Sequence, residues 1–116
     1  MSQLNDKTVT EIWKEVEHLL NANRTPFQDM NVVYQFELSG DDGGIYQLVF
    51  SDGLAKVLFE ELKEPQCTLK MKVSDFKKFL QGKINSTAAF MMGKLKIDGS
   101  VGQALKLDKL LGQYEL

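Results

Sequence analysis

The chain contains one cysteine, Cys67, and one histidine, His18, which lie far apart in the sequence. A lone cysteine excludes an intrachain disulfide, a Cys-x-x-Cys redox pair and a zinc knuckle. The single histidine leaves little material for a metal site or for a nucleophile with its base. No apolar run approaches the roughly 18 to 20 residues that cross a bilayer. The polar segment from Met1 to Lys7 lacks the basic start and apolar core of a secretory signal, so a cytoplasmic protein is expected. Excess positive charge is missing as well: 14 Lys and Arg stand against 16 Asp and Glu, with a pI near 5.4. That balance disfavours nucleic acid as a partner.

What is present suits one globular domain over residues 1–116: 43% of the residues are hydrophobic and 26% charged. The charge is unevenly placed. Residues 1–65 hold 5 basic and 12 acidic side chains, whereas residues 66–116 hold 9 basic and 4 acidic ones. The lysines of the second half either form a patch that meets phosphate head groups, on an anionic membrane surface or on CoA, or are solvated faces of regular elements.

The period of the apolar residues sets the element order. Thr8-x-x-Glu11 reads as a capping box, with Val9, Ile12, Trp13, Val16, Leu19 and Leu20 following at helical spacing. From Asn31 to Leu38 the period changes to two. Asp41-Asp42-Gly43-Gly44 and Ser51-Asp52-Gly53 then mark tight turns before strands at Ile45 to Phe50 and Leu54 to Glu60, which predicts an antiparallel meander. A fourth alternating strand is expected at Gln66 to Val73, with a short helix capped by Ser74-Asp75 after it and stopped at Gly82. Ser86-Thr87 opens a helix, Ala88 to Met92, that is apolar on every side and stops at Gly93. Such a helix is either deeply buried, the commoner case, or turned towards an apolar ligand. A fifth strand at Lys94 to Asp98 leads into a last helix from Ser100. There Ala104, Leu107, Leu110, Leu111 and Tyr114 share one face, and Val101 and Leu105 lie off it. The order α-β-β-β-β-α-α-β-α predicts an α+β fold: a five-stranded, largely antiparallel sheet covered on one face by helices.

Few residues suggest chemistry. Gly82-Lys83 and Gly93-Lys94 lack the remainder of a phosphate-binding loop, and Gly99-Ser100-Val101-Gly102 lacks the first glycine of a dinucleotide fingerprint. Gly99 and Gly102 instead suit a tight strand-to-helix turn with close packing. Asp41, Asp42 and Asp52 flank turn glycines, and no motif places an acid–base partner beside Asp98 or Asp108. His18 reads as a surface residue and Cys67 as a small core residue. No catalytic, metal or cofactor site is expected.

From Phe76 to Leu107 the chain resembles the sterol carrier protein 2 domain family through Gly82, Lys83, Ala89, Phe90, Gly93 to Ile97, Gly99 and the run Ala104, Leu105, Lys106, Leu107. The resemblance extends to the first half in element order, and so implies a stand-alone member of that family. It also implies a hydrophobic tunnel between sheet and C-terminal helices, and non-enzymatic binding and transfer of a lipid: a fatty acid, an acyl-CoA or a sterol. Carried onto this sequence, the lining candidates are Phe76, Phe79, Leu80, Phe90, Met91, Met92, Leu107, Leu110, Leu111 and Tyr114. The alternative implied role is an accessory domain that supports a lipid or quinone biosynthetic enzyme by protein contact. Carriers of this family often end in Ser-Lys-Leu, a peroxisomal signal, whereas this sequence ends Tyr114-Glu115-Leu116.

Overall fold

The computed structural model describes residues 6–114. Helix α1 (Val9–Ala22) begins with the expected capping box. Thr8 Oγ1 accepts from the Glu11 amide, and Glu11 Oε1 accepts from the Thr8 amide. Its apolar face, Val9, Ile12, Trp13, Val16 and Leu20, is buried. A short 3-10 turn, Thr25–Phe27, places Pro26 where no helical donor is needed and buries Phe27.

The sheet contains β1 (Val32–Ser39), β2 (Gly44–Ser51), β3 (Leu54–Leu58), β4 (Cys67–Lys72) and β5 (Leu95–Gly99), in the spatial order β3-β2-β1-β4-β5. The meander predicted from the turn residues is β1-β2-β3. β4 does not extend it but lies on the far side of β1 and runs parallel to it, with Tyr34 opposite Cys67 and Ser39 opposite Lys72. All other pairs are antiparallel.

The parallel pair requires a crossover, and residues 59–66 provide it on the face of the sheet that the helices leave open. Gln47, fully buried, holds this segment. Its Oε1 accepts from the Leu62 and Lys63 amides at 3.2 and 3.0 Å, and its Nε2 donates to the Lys63 carbonyl and to Gln35 Oε1. The alternation marks Gln47 as an outward residue, and its burial follows from the crossover alone. The third strand stops at Leu58, short of the expected Glu60, and Phe59 beyond it is half exposed while its ring packs edge-on against Tyr46 at 6.0 Å.

Helices α2 (Val73–Leu80), α3 (Ser86–Met91) and α4 (Val101–Leu111) complete the fold. Helix α2 starts one residue before the expected Ser74-Asp75 cap, with Lys72 at the cap position and no side-chain hydrogen bond there. Ser100 caps α4 as expected, its Oγ accepting from the Gln103 amide. Helix α1 covers the β3 edge, where an unpaired strand would otherwise template aggregation. Asn21 donates to the Ala55 carbonyl and accepts from its amide, and Glu17 Oε2 accepts from Val57. The core centres on Trp13, whose ring lies 5.0 Å from both Phe36 and Phe76 and 5.8 Å from Tyr46.

Candidate functional site

The segment from Gly82 to Gly99 owes its shape to three glycines. Gly82 and Gly93 each adopt φ +73°, and the following lysine amide reaches back into the helix, Lys83 to the Lys78 carbonyl and Lys94 to that of Ala89. Both Gly-Lys pairs are Schellman helix stops, in which only glycine takes the left-handed position without strain. Gly99, at φ +89°, has a second constraint. A Cβ there would lie 2.5 Å from the Gln66 carbonyl oxygen, which also accepts from the Ser100 amide. Gly102 has no comparable neighbour, so close packing in this turn is a property of Gly99 alone.

Between the two stops, α3 is not the deeply buried helix that its composition favours. Only Ser86 and Ala89 are buried. Phe90, Met91 and Met92 retain 54%, 81% and 59% of their surface. Asn85 caps the helix through the Ala88 amide, and Asp108 of α4 accepts from both the Ser86 amide, at 3.0 Å, and the Ser86 hydroxyl. No sequence motif marks that clamp, because its partners are separated by 22 residues and meet only through packing. Val101, Leu105 and Asp108 recur at helical spacing on one stripe of α4, so the stripe that holds the start of α3 also carries two exposed apolar side chains.

The ten lining candidates separate into two groups. Phe76, Phe79, Leu80, Leu107, Leu110 and Leu111 belong to the buried cluster beneath the helices, and Tyr114 packs against it with its hydroxyl donating to the Asn23 carbonyl. Phe90, Met91 and Met92 lie outside that cluster, on the exposed tip of α3. Ala104 and Leu107 seat α4 on the sheet, and the Tyr34 hydroxyl lies 2.8 Å from the Gln103 carbonyl and 3.1 Å from its side-chain oxygen. Burial raises the Tyr34 pKa and pushes the Cys67 thiol up to about 11, so neither is prepared as a nucleophile. His18 is exposed on α1. Among the described residues no three His, Cys, Asp or Glu side chains are grouped to hold a metal ion.

Asp98, for which the sequence suggested no role, pairs with Lys70 at 3.0 Å across β4 and β5. Together with Glu37 it raises the Lys70 pKa. At the end of the sheet where β1 and β4 stop, two grooves of about 500 and 630 Å³ share Ser39, Lys72 and Ser74.

A mixed five-stranded sheet roofed by α2, α3 and α4, with its apolar residues gathered under that roof, defines the sterol-carrier type of α+β domain, a lipid-binding fold. Comparison with known proteins gives the same answer: the SCP-2 sterol transfer family model matches residues 14–112, and the chain belongs to that family. It is 39% identical over 104 residues to hydroxysteroid dehydrogenase-like protein 2 of Xenopus tropicalis, an alignment covering 89% of this chain and 24% of that protein. Against human sterol carrier protein 2 the identity is 33% over 103 residues, covering 85% and 19%. The chain thus spans a quarter or less of the curated relatives it matches. The solution structure of sterol carrier protein domain 2 of Helicoverpa armigera superposes with a TM-score of 0.76 at 28% identity, covering 90% of this chain and 86% of that one. Among the described residues no helix is long and apolar enough to cross a membrane.

Proposed function

We infer that this domain binds the aliphatic part of a lipid beneath α3 and α4 and carries it without chemical conversion. The observation that carries the reading is the state of α3: a short helix in a lipid-binding fold that presents Phe90, Met91 and Met92 to solvent beside the Val101 and Leu105 stripe. Apolar side chains so placed lose little when α3 moves, and a chain entering along that seam reaches Leu107, Leu110 and Leu111 below. Phe76, Phe79, Leu80 and Tyr114 would form the deeper wall. At about 0.8 kcal/mol per buried methylene, ten methylenes supply roughly 8 kcal/mol before association and ordering costs. Binding near the micromolar range then needs no specific polar contact, and the unbranched Met91 and Met92 suit chains of differing shape.

Native mass spectrometry of the protein purified from cells tests the reading directly. The expected result is an added mass that is released on denaturation and identified as a fatty acid, an acyl-CoA or a sterol. A clean apo mass, with no uptake of any of these from cyclodextrin complexes, would overturn it. In that event the exposed Val101 and Leu105 favour the second reading, an accessory domain that contacts a lipid or quinone biosynthetic enzyme. Leu110→Trp puts a bulkier ring where the lipid chain is proposed to lie, and a folded variant is expected to lose lipid uptake.

A further inference from the structure

The exposed tip of α3 and the lysines around the two grooves occupy the same end of the molecule. Gly93 and Lys94, which follow Met92 directly, form part of the wall of the larger groove, together with Lys72 and Lys96. The smaller groove shares Lys72 and adds Lys77, Lys78 and Lys83. None of these six lysines makes an ion pair among the described residues, whereas Lys70 is held by Asp98 and Glu37. Asp41, Glu37 and Asp75 are the acidic groups on the groove walls, and Asp75 is buried. An acidic protein has therefore gathered unpaired positive charge around a protruding apolar tip.

The geometry points to this end of the molecule as a docking face for an anionic lipid bilayer, with Phe90, Met91 and Met92 entering the interface and Lys72, Lys77, Lys78, Lys83, Lys94 and Lys96 meeting the head groups. The two parts have complementary roles. Long-range attraction brings the face to a negatively charged leaflet and is screened by salt. Burial of the apolar tip then adds a salt-independent component that free phosphate in solution does not supply. A soluble acidic ligand would satisfy the lysines alone and leave Met91, 81% exposed, unexplained. The proposal rests on the lipid-carrier reading for its purpose, since an exchange of lipid requires a place to meet the membrane.

The test is co-sedimentation with phosphatidylcholine vesicles prepared with and without phosphatidylserine, run beside uptake of a fluorescent fatty acid from cyclodextrin. Binding is expected only with phosphatidylserine and should weaken as salt is raised. The pair Lys72→Glu and Lys94→Glu should reduce it by about fivefold or more per site. Met91→Ser with Met92→Ser should reduce it by about tenfold at fixed salt, and Lys109→Glu, on α4 away from the grooves, should leave it nearly unchanged. All of these residues are exposed, so unfolding curves matching the parent protein verify the variants. Equal binding to neutral vesicles overturns the proposal, as does equal loss from Lys109→Glu. Insensitivity to the methionine changes also overturns it and leaves adsorption of anions by the lysines, a case that chemical-shift changes with inorganic phosphate would show. Loss of docking in the lysine variants with uptake intact separates this face from the lipid site. Docking with no uptake of any chain removes the carrier reading and leaves the face standing.

Discussion

At Gly82 and Gly99 a glycine is required for different reasons, and alanine separates them. Both have positive φ, but Gly82 faces open space whereas Gly99 meets the Gln66 carbonyl. Gly82→Ala should cost about 1–2 kcal/mol of unfolding free energy from backbone strain alone. Gly99→Ala adds a clash with main chain that cannot move without breaking the β4–β5 pairing, and should cost about 3 kcal/mol or more, read from urea midpoints. Asp108→Ala removes the acceptor for two donors of Ser86, a loss of about 1–3 kcal/mol. Amide exchange should accelerate first over residues 86–91, because that clamp is what ties the start of α3 to α4. Cys67 gives a pH dependence with a definite sign. Its thiol is raised from 9.0 to about 11 by burial, so the unfolded chain ionises first. The stability contributed by the neutral thiol is complete below pH 9 and is lost as the pH rises through 11, and Tyr34, also raised by burial, acts in the same direction from pH 10 upward. Urea midpoints should fall over that window, and Cys67→Ala should flatten the lower part of the fall.

Among the elements, α1 has a task that its own pattern does not reveal. Its apolar face was legible from spacing, but Glu17 and Asn21 look like ordinary polar positions until β3 is found at the edge beside them. Asn21→Ala leaves the Ala55 amide and carbonyl without their partner and should destabilise the fold by about 1–2 kcal/mol. Light scattering on partial denaturation should increase more than for an equally destabilised core variant, because the β3 edge is uncovered. Most strands and all four helices could be read in advance, since period, caps and glycine stops are local. The position of β4 could not. The turn signals specify which strands are joined by short connections, but they do not say on which side of β1 the chain returns. The burial of Gln47 depends on that return. Helix α3 departed from expectation for a similar reason. An all-apolar sequence says what would be favourable to cover, whereas here α4 holds only the start of α3, through Asp108 and Ser86, and leaves its end uncovered.

For the molecule as a whole, the charge imbalance between the two halves was visible by counting, but its concentration at one end was not. The parallel pairing of β1 with β4 sets Ser39 beside Lys72 and so brings the start of α2 and the end of α3 to the same place. The lining candidates were legible as apolar residues, and their division into a buried cluster and an exposed tip required the packing. That division has a thermodynamic consequence. If a lipid chain occupies the seam under α3 and α4, it binds the folded state and not the unfolded one. Unfolding must then become harder in proportion to the logarithm of free ligand. At a free concentration about 100 times Kd the gain is ~2.7 kcal/mol. Urea unfolding with increasing soluble fatty acid, kept below its micellar range, should show the midpoint rising while the slope stays constant. The new protection should appear in amides of α3 and α4 beyond what the global shift explains, because those helices close over the chain. Leu110→Trp, with its bulkier ring in that seam, should unfold at a midpoint that does not respond to the same additions. A rise of equal size in the variant would place the bound lipid elsewhere on the surface.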